Sequence, residues 1–288
     1  MSIGSKISGM TAKKFETESE TESKIESEID QQKVDTLKSE ARQSKTSASL
    51  PNPLPMFPLG SVLLPGQILP LHIFEPRYRE MMAHCLGEDD RGEDDTGEDD
   101  TGENNTGKND TGDKPFGVVL IERGSEVGGD DIRTNVGTVA RIVSHRVLDG
   151  GRMAVLAVGE RRVKVVEWLE DDPYPRAIAE VWPCEDKADL ADDDLAELDD
   201  LAELFATAEV AVRRVWALRR EMGATEPEPA ENYPKTSVGS FGLAARIPLQ
   251  QFDRQKLLAT PSVAERLSLL EELLTDHEEL LLARLSNG

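Results

Sequence analysis

LPMFPLGSVLLPGQILPLHIF, running from Leu54 to Phe74, carries its apolar residues in short runs broken by proline and glycine. That pattern reads as short strands joined by turns and not as a helix. Directly after it, Glu75-Pro76-Arg77-Tyr78 opens a helix, with Pro76 at a position that suits its missing N–H. Tyr78, Met81, Met82 and Cys85 form the apolar face of that helix. The two methionines read as core packing, and Cys85 as a buried, inert thiol.

Strand signals resume with FGVVLIER from Phe116 and continue with VGTVARIVSHRVL, Val136 to Leu148. Asp149-Gly150-Gly151 is a hairpin turn, and MAVLAVGERRVKVVEWL runs back from Met153 to Leu169 with a bend or bulge at Gly159. YPRAIAEVW, Tyr174 to Trp182, is a further strand. Strands this close together with glycine-rich turns point to a small, largely antiparallel β-barrel or sandwich.

After Pro183 the period changes from two to between three and four. Leu198, Leu201, Phe205, Ala208, Val212, Val215 and Arg219 form a helical stripe that Gly223 stops. Residues 225–234 read as a linker, and shorter helices follow near Val238–Ala245 and Pro248–Ala259. Ser262-x-x-Glu265 is a capping box for a last helix whose stripe is Leu267, Leu270, Leu274, Leu281 and Leu285. The order is strands first and helices second, an α+β layout.

The flanking and inserted segments are of another kind. Residues 1–50 are rich in Ser, Thr, Glu and Lys with Phe15 as their single aromatic, so they are expected to form a disordered tail. Residues 87–114 hold a five-residue repeat, GEDDR through GKNDT, with no apolar side chain within it, and are expected to be a solvated loop insertion. The net charge is −23, and the runs 87–114 and 185–203 carry −9 each. Because the acidity is local, total charge argues only weakly against a nucleic-acid partner, and no broad basic stripe argues for one.

Sequence signals for chemistry are weak. Gly102 to Lys108 imitates a phosphate-binding loop, but Asn109 stands where a hydroxyl should reach Mg²⁺, and the five-residue period already explains the glycine spacing. The acidic repeat lacks the order of a calcium loop. His72, His84, His145 and His277 fall in no zinc-like spacing, and no Gly-x-Ser-x-Gly turn exists. No cofactor, no metal site and no catalytic residue is expected. Two cysteines, no apolar run of membrane-spanning length and no signal peptide make the cytoplasm the expected compartment.

LPMFPLGSVLLPGQILPLHIFEPRYREMM resembles the opening of the Lon protease N-terminal domain family, with its Leu-Pro-x-Phe-Pro-Leu segment, the Pro65-Gly66 turn and the Pro70 to Phe74 strand. VGTVARIVSHRVLDGGRMAVLAVGERRVKV is similar to that family's second signature, Gly-Thr-x-Ala followed by a hairpin and a Gly-x-x-Arg element, here Gly159 and Arg162. LLATPSVAERLSLLEELL resembles the end of its helical part. The resemblance implies a PUA-like, largely antiparallel β-barrel over residues 51–184 followed by a helical bundle over residues 185–288. It also implies a non-catalytic role in binding unfolded or client protein segments, with a separate protease or chaperone as a further partner. With the sequence ending at Gly288, no room is expected for ATPase or peptidase domains.

On that reading the candidate peptide-binding residues are Phe57, Leu59, Phe74, Tyr78 and Trp168, with Arg77 and Arg162 orienting backbone or carboxylate groups. Each apolar member has a packing reading beside it, and Arg77 and Arg162 have a surface-pairing reading with Glu75 and Glu160. The alternative is an RNA-binding PUA-like protein, using Arg141, Arg146, Arg152, Arg161, Arg162 and Lys164 as a local basic face.

Overall fold

In the computed structural model the stretch from Leu54 to Phe74 forms two strands, β1 (Leu54–Leu59) and β2 (Ile68–Ile73), joined by a loop that turns at Gly66. Helix α1 (Pro76–Cys85) follows with Pro76 in its first turn and Tyr78, Met81, Met82 and Cys85 buried. The other strands are β3 (Phe116–Arg123), β4 (Ile132–Val147), β5 (Met153–Trp168) and β6 (Arg176–Val181). Four helices come after them: α2 (Leu195–Glu221), α3 (Ser237–Ala245), α4 (Gln251–Ala259) and α5 (Val263–Asn287). The structure describes residues 49–87, 114–124, 131–183, 195–225 and 237–287. The expected N-terminal tail, nearly all of the acidic repeat with its phosphate-loop imitation, and most of the 225–234 linker lie outside these residues.

The six strands make one mostly antiparallel sheet in the order β2-β5-β4-β3-β1-β6, with β1 and β3 parallel. β5 is long enough to hold two partners on one edge: residues 153–158 pair with β2 and residues 163–168 with β6. β6 also touches β1, through Leu54 with Ala177 and Pro55 with Arg176. The sheet therefore coils back on itself, yet β2 has no second strand beside it among the described residues. The expected barrel is thus a coiled six-stranded sheet, open at β2, and not a closed barrel. Pro70 sits within that open strand, where a missing N–H interrupts no ladder between two neighbours. α1 contributes Tyr78, Met81, Met82 and Cys85 to the same core as Phe57, Phe116 and Ile73, and so buries the strands' apolar face.

β4 starts four residues earlier than its alternation suggests, because Ile132 and Arg133 pair with Arg123 and Ile121 across register shifts. At the centre of the sheet, Ala140 lies opposite Gly159 and Thr138 opposite Arg162. The Gly-Thr-x-Ala and Gly-x-x-Arg elements therefore face each other. Each residue has a physical reason. A Cβ on Gly159 would lie 2.8 Å from the carbonyl oxygen of Leu64 and 3.1 Å from Thr138 Cγ2. Thr138, fully buried, donates from Oγ1 to the Leu63 carbonyl at 2.6 Å. A further core, of Leu54, Met56, Val119, Val139, Val163, Val165 and Ala177, fills the coil.

The helices build their own core from Phe205, Val212, Val215, Trp216, Phe241, Leu267, Leu270 and Leu274, joined by Val62, Leu64 and Leu120 from the strand region. Gly223, at φ 88°, ends α2, as its backbone freedom allows. Ser262 Oγ accepts from the Glu265 N–H at 3.1 Å, the first half of the expected capping box. Leu281 is buried, whereas Leu285 at the helix end is 36% exposed.

Candidate protein-binding face

Where β1, α1 and β3 meet, three aromatic rings pack together. Phe57 lies 4.3 Å from Tyr78 and 6.4 Å from Phe116, centroid to centroid. The guanidinium of Arg77 sits over the Tyr78 ring at 4.6 Å and donates from Nε to Glu75 at 3.2 Å. Phe57 and Tyr78 are buried, so they act from below and Arg77 forms the upper layer.

Beside this stack, the start of β4 carries an ion-pair cluster. Arg133 donates to both oxygens of Asp131, at 2.7 and 3.1 Å, and to both oxygens of Asp171, at 3.1 and 3.0 Å. Its guanidinium also lies 5.0 Å from the Trp168 ring, whose Nε1 donates to Asn135 at 3.0 Å. Ile132, between the two paired residues, is 51% exposed. The face thus presents aliphatic and aromatic edges next to charges held in place by their own partners.

The same contacts set the titration behaviour. Burial pushes the Tyr78 phenol up to about 12, with the charges of Arg77 and Glu75 acting in smaller, opposite senses. Burial alone would raise the Asp131 carboxyl, but the hydrogen bond and charge of Arg133 outweigh it and hold the group below its ordinary 3.8. Arg133 is likewise held above its usual range, since its bonds to Asp131 and Asp171 outweigh burial. For Tyr78 the folded chain keeps a proton that the unfolded chain releases near pH 10. Its stabilising contribution is complete below about pH 10 and is lost as pH rises through about 12. Asp131 behaves oppositely: its contribution is present at neutral pH and is lost as pH falls below 3.8. Urea midpoints measured across pH are expected to decline on both flanks, with Tyr78→Phe flattening the alkaline one. An alkaline flank that Tyr78→Phe leaves unchanged would refute the assignment.

The remaining sequence candidates are dispersed. Leu59 is buried in the same core as Phe57. Phe74 lies past the end of β2 with 53% of its surface exposed. Arg162 is elsewhere and only 3% exposed. It donates to the carbonyl oxygens of Leu258 (3.0 Å), Thr260 (2.6 Å), Pro183 (2.8 Å) and Pro261 (3.1 Å), under the Trp182 ring at 4.6 Å. Instead of pairing with Glu160 at the surface, it ties the sheet to the α4–α5 turn. Glu160 is taken by Arg141 at 2.8 Å. Arg141 and Arg162, two of the cations expected on a basic face, are thus tied to Glu160 and to backbone carbonyls, and Arg152 donates from Nε to the Asp149 carbonyl at 3.1 Å.

Residues 53–276 match the family model of the ATP-dependent protease La (LON) substrate-binding domain. The chain belongs to that family. Among similar proteins, the Lon protease of Anaeromyxobacter dehalogenans is 27% identical over 241 residues, which are 83% of this chain and 24% of that one. Lon protease 2 of Myxococcus xanthus is 26% identical over 83% of this chain and 25% of its own length. The chain spans about a quarter of the length of these curated relatives. Among solved structures, the Lon N-terminal domain protein from Xanthomonas campestris is 25% identical, with a TM-score of 0.46 over 75% of this chain and 95% of that one. The match places this chain in the substrate-binding part of the family, not its peptidase part.

Among the described residues, no helix is long and apolar enough to cross a membrane, and no group of three or more His, Cys, Asp or Glu is placed to hold a metal ion. Asp131, Arg133, Asn135 and Asp171 are the members of the face that sequence reasoning missed. The alternation Asp131-x-Arg133 was the available signal, but it precedes the expected strand start at Val136. Asp171 is joined to it only through the fold.

Proposed function

We propose that this chain is a non-catalytic protein-binding module that takes unfolded segments or exposed apolar stretches of other proteins. The match of residues 53–276 to the Lon substrate-binding domain carries the reading. The face around Tyr78, Arg133 and Trp168 supports it: apolar edges lie beside pre-paired charges on a rigid ladder, so little ordering entropy remains to be lost on binding. In this reading residues 51–184 and 185–288 form the sheet and helical parts of one cytoplasmic adaptor in protein quality control, and a separate protease or chaperone receives the client.

The test is fluorescence anisotropy with one labelled protein presented native and, after reduction and carboxymethylation, unfolded. The unfolded form is expected to bind at least about tenfold more tightly, a difference of ~1.4 kcal/mol. Equal affinity for the two forms, or none for either, removes the reading. Incubation of the chain alone with casein is expected to yield no fragments.

A further inference from the structure

β2, β5 and β4 lie side by side, with Ile73, Met153 and Val147 in one rung and His72, Ala154 and Arg146 in the next. Leu69, Leu71 and Ile73 pack into the core shared with α1. The alternate residues Ile68, Pro70 and His72 therefore face outward. Phe74 continues that row, its ring 6.4 Å from the His72 ring. Pro70 and Phe74 are exposed, and Ile68, His72 and Ala154 are partly so. The row is an apolar strip on the open edge of the sheet.

Its far side is cationic. Arg146 and Arg152 are exposed on the β4–β5 hairpin, and Arg79 reaches the same turn from α1, with Nη1 3.2 Å from the Gly150 carbonyl and 3.3 Å from that of Gly151. Asp149 is an exposed carboxylate of that turn, and its backbone carbonyl accepts from Arg152 Nε at 3.1 Å, which holds that guanidinium at the hairpin. Within the strip, His72 Nε2 is shielded from water and meets no hydrogen-bond partner among the described residues. Pro70 has no N–H, so an added strand would find a gap in the ladder, and side chains must carry the recognition.

We propose that Ile68, Pro70, His72 and Phe74, flanked by Arg146 and Arg152, dock an extended acidic segment of a partner protein that carries an aromatic or aliphatic anchor. The anchor packs on Phe74 and Pro70, and the carboxylates face the hairpin guanidiniums. Charge complementarity selects the acidic occupant over a basic one, and opposite charges at the rim speed encounter. This inference rests on the protein-binding reading above and names the partner's chemistry and a second face for it.

The experiment uses the full chain and three labelled probes: a short peptide alternating Asp or Glu with Phe or Leu, its counterpart with Lys for each acid, and single-stranded oligouridylate. The acidic peptide is expected to bind about tenfold more tightly than the lysine peptide, with affinity falling as salt rises. Phe74→Ser and the double variant Arg146→Glu with Arg152→Glu are each expected to weaken it about tenfold while the chain stays folded, because all three side chains are exposed and the Arg152 bond to the Asp149 carbonyl lies at the surface of a turn. Equal binding of the lysine peptide, preferred binding of the oligouridylate, self-association abolished by Phe74→Ser, or affinity unchanged in the variants would overturn it. Variants that lose the acidic peptide but keep unfolded protein support this face as one apart from the Tyr78 face. A wild-type chain that binds unfolded protein but not the acidic peptide overturns this inference and leaves the general reading standing.

Discussion

Arg162→Met is expected to lower stability by about 3–5 kcal/mol, the loss typical of removing one partner from a buried charged network. Methionine approximates the length of the side chain and supplies none of its donors. The carbonyls of Leu258, Pro261 and Pro183 then lose the guanidinium that serves them, while Thr260 retains Arg266 at 3.1 Å. The buried Leu258 carbonyl left without a donor costs roughly 1–3 kcal/mol, the part-buried carbonyls of Pro261 and Pro183 cost less, and the stacking on Trp182 is lost as well. Arg162→Lys keeps the charge, but a single ammonium cannot span four acceptors in a fork geometry, so it is expected to recover less than half of the loss. Equilibrium urea unfolding of both variants against the parent chain measures the losses. A loss below about 1 kcal/mol for the methionine variant would mean that water or a neighbour replaces the guanidinium without strain.

Gly137→Ala is expected to cost about 3 kcal/mol or more, at the upper end of overpacking effects. Gly137 lies in the middle of β4, opposite Val119 on one side and Val163 on the other. A Cβ there would press into the carbonyl oxygen of Val118 and lie 2.7 Å from Val119 Cγ1. The first obstacle is backbone of a paired neighbour, which cannot swing aside as a flexible side chain would. Gly150→Ala is the control. Its Cβ meets nothing within 4 Å, and only the left-handed φ of 75° opposes it, a penalty of about 1 kcal/mol. Urea midpoints in which Gly150→Ala is the more damaging of the two would refute the packing argument.

These two residues show how far a one-dimensional reading reaches. Gly137 and Arg162 were legible as parts of two motifs, but the reason for each was not. Gly137 is required because the backbone of β3, its antiparallel neighbour in the sheet, comes too close for a Cβ, and Arg162 because the end of α4 and the turn after it, 96 to 99 positions later, aim three carbonyls at it. The expected surface pair with Glu160 failed for the same cause: in the folded chain Glu160 lies with Arg141 on the neighbouring strand. Among the candidate binding residues, Tyr78, Arg77 and Phe57 come together, whereas Phe74 and Arg162 do not share their face.

The sequence alone determined what depends on neighbours along the chain. Alternation and helical period set the strands and helices, Pro76, Gly223 and Ser262 set helix ends, and the family motifs set the class. Tertiary structure decided which strands pair, why the sheet stays open at β2, and where each arginine is used. Those outcomes depend on contacts between residues tens of positions apart, and local preference is blind to them because the energy of such a contact exists only once the chain has closed the loop between its partners.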